Sequence, residues 1–459
     1  EPRTHNPLVA GSSPAGPTNH YARGQETTLA KILILSQYWV PENGVPQRRW
    51  DWLAKILTES GHEVRVLTPP PHYRRRVTVT EWLRGPGFHL RASDYEMTGG
   101  FRVYRTGFVP SGRSLSARIA NQAWIALSMG YTLLFPPKTL SSYKPDLVIG
   151  TVPALPTAVV AFLAGKRFRT PFVIDLRDAW PALFKESSEW NRSVGPSSWR
   201  EKVLKRGPLQ ILIFLTEKVL NFVLRKSDGI ITTSSNLCEE LKREYRDKPI
   251  TTVRNVFPNT GYGWVRLNAK NPGHLNVLYA GTLGRAQQLE NALIAARQCQ
   301  DQGIHLSLRF VGDGAAWYRL KELNELYGVN AEFYHQVAPE ELGEHYQWAD
   351  TALVHLADWK SLESAVPSKT YELMENQIFI SASVGGETAE LVEQTNAGEI
   401  ITPNRPDELA AAWVRASSGS HRRVGDPSAK RWVDDQRHRV APNSLLGLIN
   451  EILNGSLGK

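Results

Sequence analysis

The chain has 459 residues, of which 41% are hydrophobic and 22% charged, with no long biased tract. That balance suits a globular protein of two ordinary domains and excludes a fibrous or wholly disordered one. Cys238 and Cys299, its two cysteines, stand in no C-x-x-C or Cys/His spacing, which excludes a disulfide framework and a structural zinc and fits a reducing compartment. The net charge of +9 is uneven: residues 31–257 carry 34 basic against 19 acidic side chains, and residues 258–459 carry 18 against 24. A basic first half beside an acidic second half implies an anionic partner for the first, whether a phosphorylated substrate, an anionic lipid or a nucleic acid.

Residues 1–29 mix Pro, Gly, Ser, Thr and His without an apolar segment. They have no secretory-signal pattern and are expected to form a disordered leader outside the fold. The ordered pattern opens at Ala30–Ser36 (AKILILS), a nearly continuous apolar run of the kind that forms a strand buried on both faces. A loop with Pro41, Gly44 and Pro46 leads into an amphipathic stretch, Gln47–Ser60, closed by Gly61 and followed by the strand Glu63–Thr68. This is a βαβ unit, and the pattern repeats with strands predicted at Asp146–Gly150, Phe172–Leu176 and Gly229–Thr233.

A break near Pro258–Gly273, rich in Asn, Gly and Pro, separates a second array. Its strands are predicted at Leu275–Tyr279, Leu306–Val311, Ala331–Tyr334, Thr351–His355 and Ile378–Ser381, and helices at 407–416 and 444–453 close the chain. Two successive β/α arrays predict an α/β protein of twin doubly wound domains, with ligands at the carboxyl ends of the strands. The expected divisions are 30–257, 258–425 and a tail, 426–459, whose helices pack back on the first domain. No stretch reaches the roughly 20 apolar residues of a membrane span: the best candidate, Leu209–Leu224, is interrupted by Glu217 and Lys218.

The loops at the strand ends carry the candidate chemistry. Gly44, between strand and helix, lets a backbone approach a phosphate, although a plain tight turn explains it equally well. The loop Ala280–Leu289 places Gly281 and Gly284 beside Arg285, whose forked donors suit a diphosphate; a solvated arginine is the simpler alternative. In Val366–Met374 (VPSKTYELM), Ser368 is a suitable N-cap and Lys369 falls in the first helical turn, where a cation opposes the helix dipole unless an anion shares the site. Glu372, one turn on, could accept two ribose hydroxyls, or simply pair with Lys369. In Asp175–Pro181 (DLRDAWP), Asp175, Arg177 and Asp178 cluster at a strand end, either as a polar site or as a structural ion-pair group.

Taken together, Leu35–Gly44, Gly61–Val64, Leu176–Pro181, Tyr279–Leu289, Phe310–Gly314 and Pro367–Met374 resemble glycosyltransferase family 4, the retaining GT-B enzymes, and in particular the fucosaminyltransferase-like branch of bacterial surface polysaccharide synthesis. The resemblance implies a GT-B fold of two Rossmann-like domains facing a cleft. It also implies metal-independent, retaining hexosyl transfer from a nucleoside-diphosphate sugar, with UDP the favoured nucleotide and no cofactor. Position by position, it brings Gly44, Arg285 and Lys369 to the diphosphate, Glu372 to the ribose and Gly312 to the nucleotide cleft. Three departures stand out. Gly281-Thr282 replaces a glycine–arginine pair, with Gln287 at a lysine position. The first glutamate of the family's pair falls at Ser364, one place from Glu363. Arg177 stands where many relatives have histidine, which leaves Asp178, Arg177 and Glu363 as the catalytic candidates.

The resemblance further implies a polyprenyl-linked or glycolipid acceptor in the cytoplasm, at the inner face of the plasma membrane. Lys202–Lys226, with Leu, Ile and Phe among Lys and Arg, has the composition of an interfacial helix on anionic lipid, and Arg74–Arg76 adds a basic cluster. A core-packing helix with solvated ends is the alternative. Two other GT-B readings remain open, a nucleotide-sugar 2-epimerase and a non-catalytic partner subunit. A nucleic-acid binder is disfavoured, because aromatic residues do not alternate with the basic clusters.

Overall fold

The computed structural model describes residues 29–72, 79–110, 115–180, 208–258, 273–338, 341–419 and 424–457. The expected leader and the centre of the expected inter-domain break lie outside these residues, as do Arg74–Arg76 and residues 202–207.

The first array runs β1 (Lys31–Leu35), α1 (Val45–Glu59), β2 (Glu63–Thr68), α2 (Val79–Arg84), β3 (Tyr95–Thr98), β4 (Phe101–Arg105), α3 (Leu115–Leu134), α4 (Lys138–Ser141), β5 (Leu147–Val152), α5 (Pro156–Phe168), β6 (Phe172–Leu176), α6 (Pro208–Lys226), β7 (Gly229–Thr232), α7 (Ser235–Glu244) and β8 (Ile250–Thr252). Its eight strands lie in the order β3-β4-β2-β1-β5-β6-β7-β8. All pairs are parallel except β3 with β4. The β3–β4 hairpin and α3 fall where sequence periodicity gave no firm reading, because their apolar residues are spread among exposed ones.

The second array runs β9 (His274–Ala280), α8 (Glu290–Asp301), β10 (His305–Val311), α9 (Trp317–Tyr327), β11 (Glu332–Tyr334), α10 (Leu342–Trp348), β12 (Thr351–His355), α11 (Ser368–Glu375), β13 (Ile380–Ser383), α12 (Gly386–Gln394), β14 (Gly398–Ile401) and α13 (Pro406–Ser417). Its sheet order is β11-β10-β9-β12-β13-β14, parallel throughout. In both sheets the strand order reverses beside the first strand, which creates a crevice at the carboxyl ends. Helices α14 (Pro427–Asp435) and α15 (Ala441–Leu457) follow, joined by a π-helical turn at Gln436–Val440.

The apolar strand runs fold as parallel strands because both faces are covered. Ile32, Leu33, Ile34 and Leu35 have no exposed surface. Helix α1 begins after Gly44 with Pro46 in its first turn and buries Trp50, Leu53, Ala54 and Leu57 against the sheet. On this face the core is continuous with α15, whose Leu448 and Ile452 crowd Gly229 of β7. Helix α14 meanwhile packs on α11 of the second array. The chain's last helices thus bridge the two sheets.

One polar group sits inside this apolar packing. Arg49 and Asp175 form an ion pair of 2.8 Å with both side chains fully buried. Arg49 also donates to the Val253 carbonyl at 2.6 Å, and Trp50 donates its indole N–H to Asp175 at 2.6 Å. Asp175 is therefore structural, which settles the sequence alternative for that residue. Replacing Arg49 with Met should leave Asp175 uncompensated and cost about 3–5 kcal/mol. A urea midpoint within error of wild type would refute this account of α1.

Candidate functional site

The carboxyl ends of β9, β10, β12 and β13 converge on one edge of the second array. After β9, Gly281–Leu283 packs on the Gly312–Gly314 loop after β10, with Leu283 N–H donating to the Asp313 carbonyl at 3.0 Å. The contact leaves no room for side chains. A Cβ on Gly312, whose φ is +149°, would fall 1.8 Å from the Gly281 carbonyl oxygen, and one on Gly314 would fall 2.0 Å from that of Leu283. Gly312 thus shapes the loop pair itself. Arg285 opens a single 3-10 turn, Arg285–Gln287, rather than a helix, with Gly284 before it in extended conformation. That turn is tied to the β12 loop, where Ala357 N–H donates to the Ala286 carbonyl at 2.7 Å.

Helix α11 starts on Ser368 itself, with Pro367 in the capping position and no side-chain cap. This corrects the expectation that Ser368 caps the helix. Pro367 holds φ −58° with an extended ψ of 132°, so the chain enters the helix one residue earlier than a serine cap would require. Lys369 Nζ lies 2.8 Å from Glu372 Oε2. Tyr346 of α10 donates its hydroxyl to Glu372 Oε1 at 2.7 Å. Burial alone would raise the Glu372 pKa, but Lys369, then Tyr346 and Arg48, hold the carboxyl below its ordinary value. Arg48 belongs to α1 of the first array. It stacks over Phe257 at 4.5 Å and donates to the Pro258 carbonyl, and burial lowers its pKa against the pull of Glu372 and Glu375. The Lys369–Glu372 group therefore faces a cation from the opposite domain.

Glu363 is half exposed and its carboxylate pairs with Lys360. Its carbonyl accepts from Glu387 N–H at 2.8 Å, which seats it against the Gly385–Gly386 turn. Across the cleft, Gly44 stands at the start of α1, and Arg177 and Asp178 follow β6. Asp178 is exposed, and Arg177 is half-buried beside Asp178, Arg49, Asp175 and Tyr38, with burial lowering its pKa. Gly44, Arg177 and Asp178 thus lie on the first array's edge, and Gly281, Gly284, Arg285, Gly312, Glu363, Ser368, Lys369 and Glu372 on the second's.

Sequence reading missed four groups here. Tyr346 and Arg48 flank Glu372, and their spacing along the chain carries no sign of it. Glu387 is a buried carboxylate of the second array that accepts from Ser235 N–H at 2.8 Å and Asn236 N–H at 2.7 Å, at the start of α7. It also pairs with Arg254 at 2.5 Å. His72, buried beside Tyr38 and facing Glu42, lines the loops after β1 and β2, and burial lowers its pKa.

Twin parallel sheets with opposed carboxyl ends, a glycine-shaped loop pair and a Lys–Glu pair on the helix after the fourth strand of the second array define a GT-B glycosyltransferase. The pattern of the Glycosyl transferase 4-like domain matches residues 44–256, and that of Glycosyl transferases group 1 matches residues 265–435. The chain belongs to glycosyltransferase family 4. It is 23% identical over 436 residues to WcaI of Escherichia coli K12, named as a colanic acid biosynthesis glycosyl transferase, covering 92% of this chain and 99% of that one. Among solved structures, the catalytic domain of starch synthase IV from Arabidopsis thaliana superimposes with a TM-score of 0.60 at 12% identity, over 94% of this chain and 100% of the other. Sucrose-phosphate synthase from Thermosynechococcus elongatus gives 0.57 at 16%, over 94% and 97%. Anabaena HepE, solved with UDP-glucose, gives 0.51 at 13%, over 94% and 99%.

His355 ends β12 beneath this edge. It is buried beside Asn291, and burial pushes its pKa from 6.5 down to about 4. Above pH 6.5 the imidazole is neutral in folded and unfolded chains alike. Below it the unfolded chain takes up a proton that the folded one refuses, so stability falls as pH drops, by about 3 kcal/mol at pH 4. His355→Gln should flatten this part of the profile, as read from urea midpoints between pH 7.5 and 4.5. An unchanged slope would contradict it.

Proposed function

We propose that this glycosyltransferase moves a hexosyl group, with retention and without a metal, from a nucleoside-diphosphate sugar, UDP being the favoured nucleotide, to a polyprenyl-linked or glycolipid acceptor in surface polysaccharide synthesis. The observation that carries the donor reading is the Lys369–Glu372 pair at the start of α11, on the edge where such a sheet binds ligands. Lys369 and Arg285, with the helix start, supply positive charge where a leaving diphosphate develops negative charge. Glu372 offers acceptors to the ribose hydroxyls. The acceptor hydroxyl attacks the face that the diphosphate vacates, and a diphosphate oxygen takes its proton. Arg177 and Asp178 then meet the acceptor, and Glu363 the sugar. The relationship to WcaI supports surface polysaccharide as the product class, and HepE's UDP-glucose supports the donor class.

The acceptor reading includes an anionic membrane surface as partner. No helix among the described residues is long and apolar enough to cross a membrane. Helix α6 instead exposes Ile211, Leu212, Phe214, Leu215 and Phe222, and its neighbours add Leu163 on α5 and Leu127, Tyr131 and Leu134 on α3. Helix α5 packs against both α3 and α6, with Phe162 on Phe222 at 5.4 Å. Exposed Lys166, Arg167, Lys218, Arg225 and Lys226 stand among these apolar groups. An apolar face set among basic residues is the surface an anionic leaflet attracts.

UDP or GDP, added without metal at a hundred times its dissociation constant, should stabilise the protein by about 2.7 kcal/mol. Lys369→Ala and Glu372→Ala should abolish that gain in thermal unfolding. If neither nucleotide stabilises wild type, the donor reading fails and the partner-subunit alternative replaces it. A nucleotide-sugar 2-epimerase would bind nucleotide equally but show epimerisation without acceptor. For the membrane, wild type should sediment with vesicles containing phosphatidylglycerol and not with pure phosphatidylcholine, and Phe214→Ser with Phe222→Ser should weaken this. Equal recovery of the double variant would sink the helix-face proposal.

A further inference from the structure

We infer that Tyr346 is a positioning residue for nucleotide recognition: its hydroxyl fixes the rotamer of Glu372 so that the carboxylate keeps its outward acceptors for a ribose diol. This rests on the donor reading above. A glutamate side chain has three rotatable bonds, and one aimed at a two-hydroxyl ligand must be held in place before binding, or each encounter costs the ordering of that chain. Two groups hold Glu372. Lys369 grips Oε2 at 2.8 Å and Tyr346 grips Oε1 at 2.7 Å. The two holders differ in what binding does to them. Lys369 is also a diphosphate ligand in the proposed reaction, so a bound nucleotide competes with Glu372 for its ammonium. Tyr346 has no such competitor, because its ring is buried between α10 and the second sheet's core.

The hydroxyl is suited to the task. Lys369 Nζ lies 3.3 Å from the Tyr346 oxygen and donates to it, which polarises the O–H that Tyr346 gives to Glu372. Burial, then the adjacent carboxylate, raises the phenol well above its ordinary pKa, so it stays a donor. A carboxylate has about four acceptor positions, and one taken by Tyr346 leaves enough for two ribose hydroxyls.

The test compares UDP and GDP with their 2′-deoxy counterparts, as dissociation constants for wild type, Tyr346→Phe and Glu372→Gln. The phenylalanine keeps the buried ring, and thermal unfolding checks that the fold survives. Loss of a hydrogen bond to a charged group predicts about a tenfold weaker binding of the ribonucleotide by Tyr346→Phe, with the 2′-deoxy nucleotide nearly unaffected, so that the preference for ribose collapses. In turnover, KM for the donor sugar should rise with kcat retained. If Tyr346→Phe weakens both nucleotides equally, Tyr346 is merely structural and the inference is overturned. Should it prove unstable, Tyr346→Leu, which also lacks a donor, must likewise lose the ribose preference, and retention of that preference by a folded Leu variant also overturns the inference. If Glu372→Gln keeps the ribose preference, the assignment of Glu372 itself falls, which is a separate failure from that of Tyr346.

Discussion

The buried ion pair of Arg49 with Asp175 governs how the first domain presents its edge of the cleft. Two charges inside an apolar core are tolerable only if every polar atom finds a partner. Here Asp175 takes two guanidinium hydrogens and the Trp50 indole N–H, while the rest of Arg49 goes to the Val253 carbonyl and Asn255. These partners come from α1, the end of β6 and the segment after β8. The pair therefore locks the start of α1, where Gly44 stands, to the strand end that carries Arg177 and Asp178, and both to the exit toward the second domain.

From that exit outward, arginines continue the connection. Arg254 joins Glu387 of α12, Ser235 of α7 and Tyr371 of α11. Arg437, in the turn between the last two helices, reaches Glu375 of α11 through both terminal nitrogens and the Val256 carbonyl through Nε. Helix α11 thus presents Lys369 and Glu372 to the cleft while Tyr371 and Glu375 anchor it to the seam between domains. This eight-residue helix carries the Lys369–Glu372 pair on the same short element as two of the contacts to Arg254 and Arg437.

The two clusters of the site were unequally legible in the sequence. Arg285, Lys369 and Glu372 could be read because each lies within a few residues of a strand end or helix start, where local chain geometry already dictates the surroundings. The structure places all three on one edge of the second array. Ser368 was misread as a cap because a proline before a helix start shifts the boundary by one residue, a matter of backbone angle that spacing does not reveal. Tyr346 and Glu387 left no signal, since one acts 26 residues from its partner and the other across the domain seam. Arg49 did leave one: an arginine on the apolar face of α1 requires a buried acid, and DLRD offered two.

By itself the sequence determined the class of fold, because apolar runs of strand length alternating with amphipathic helices leave few arrangements other than parallel sheets covered on both faces. It determined as well which loops lie at the carboxyl edge of each sheet, since a parallel strand's carboxyl end is fixed once the strand is known. Only the tertiary structure decided which acid in DLRD is structural, which cation faces Glu372 from across the cleft, and which apolar residues of α3, α5 and α6 remain uncovered. Each of those depends on groups far apart in the chain, and local periodicity carries no information about what a side chain meets on another element.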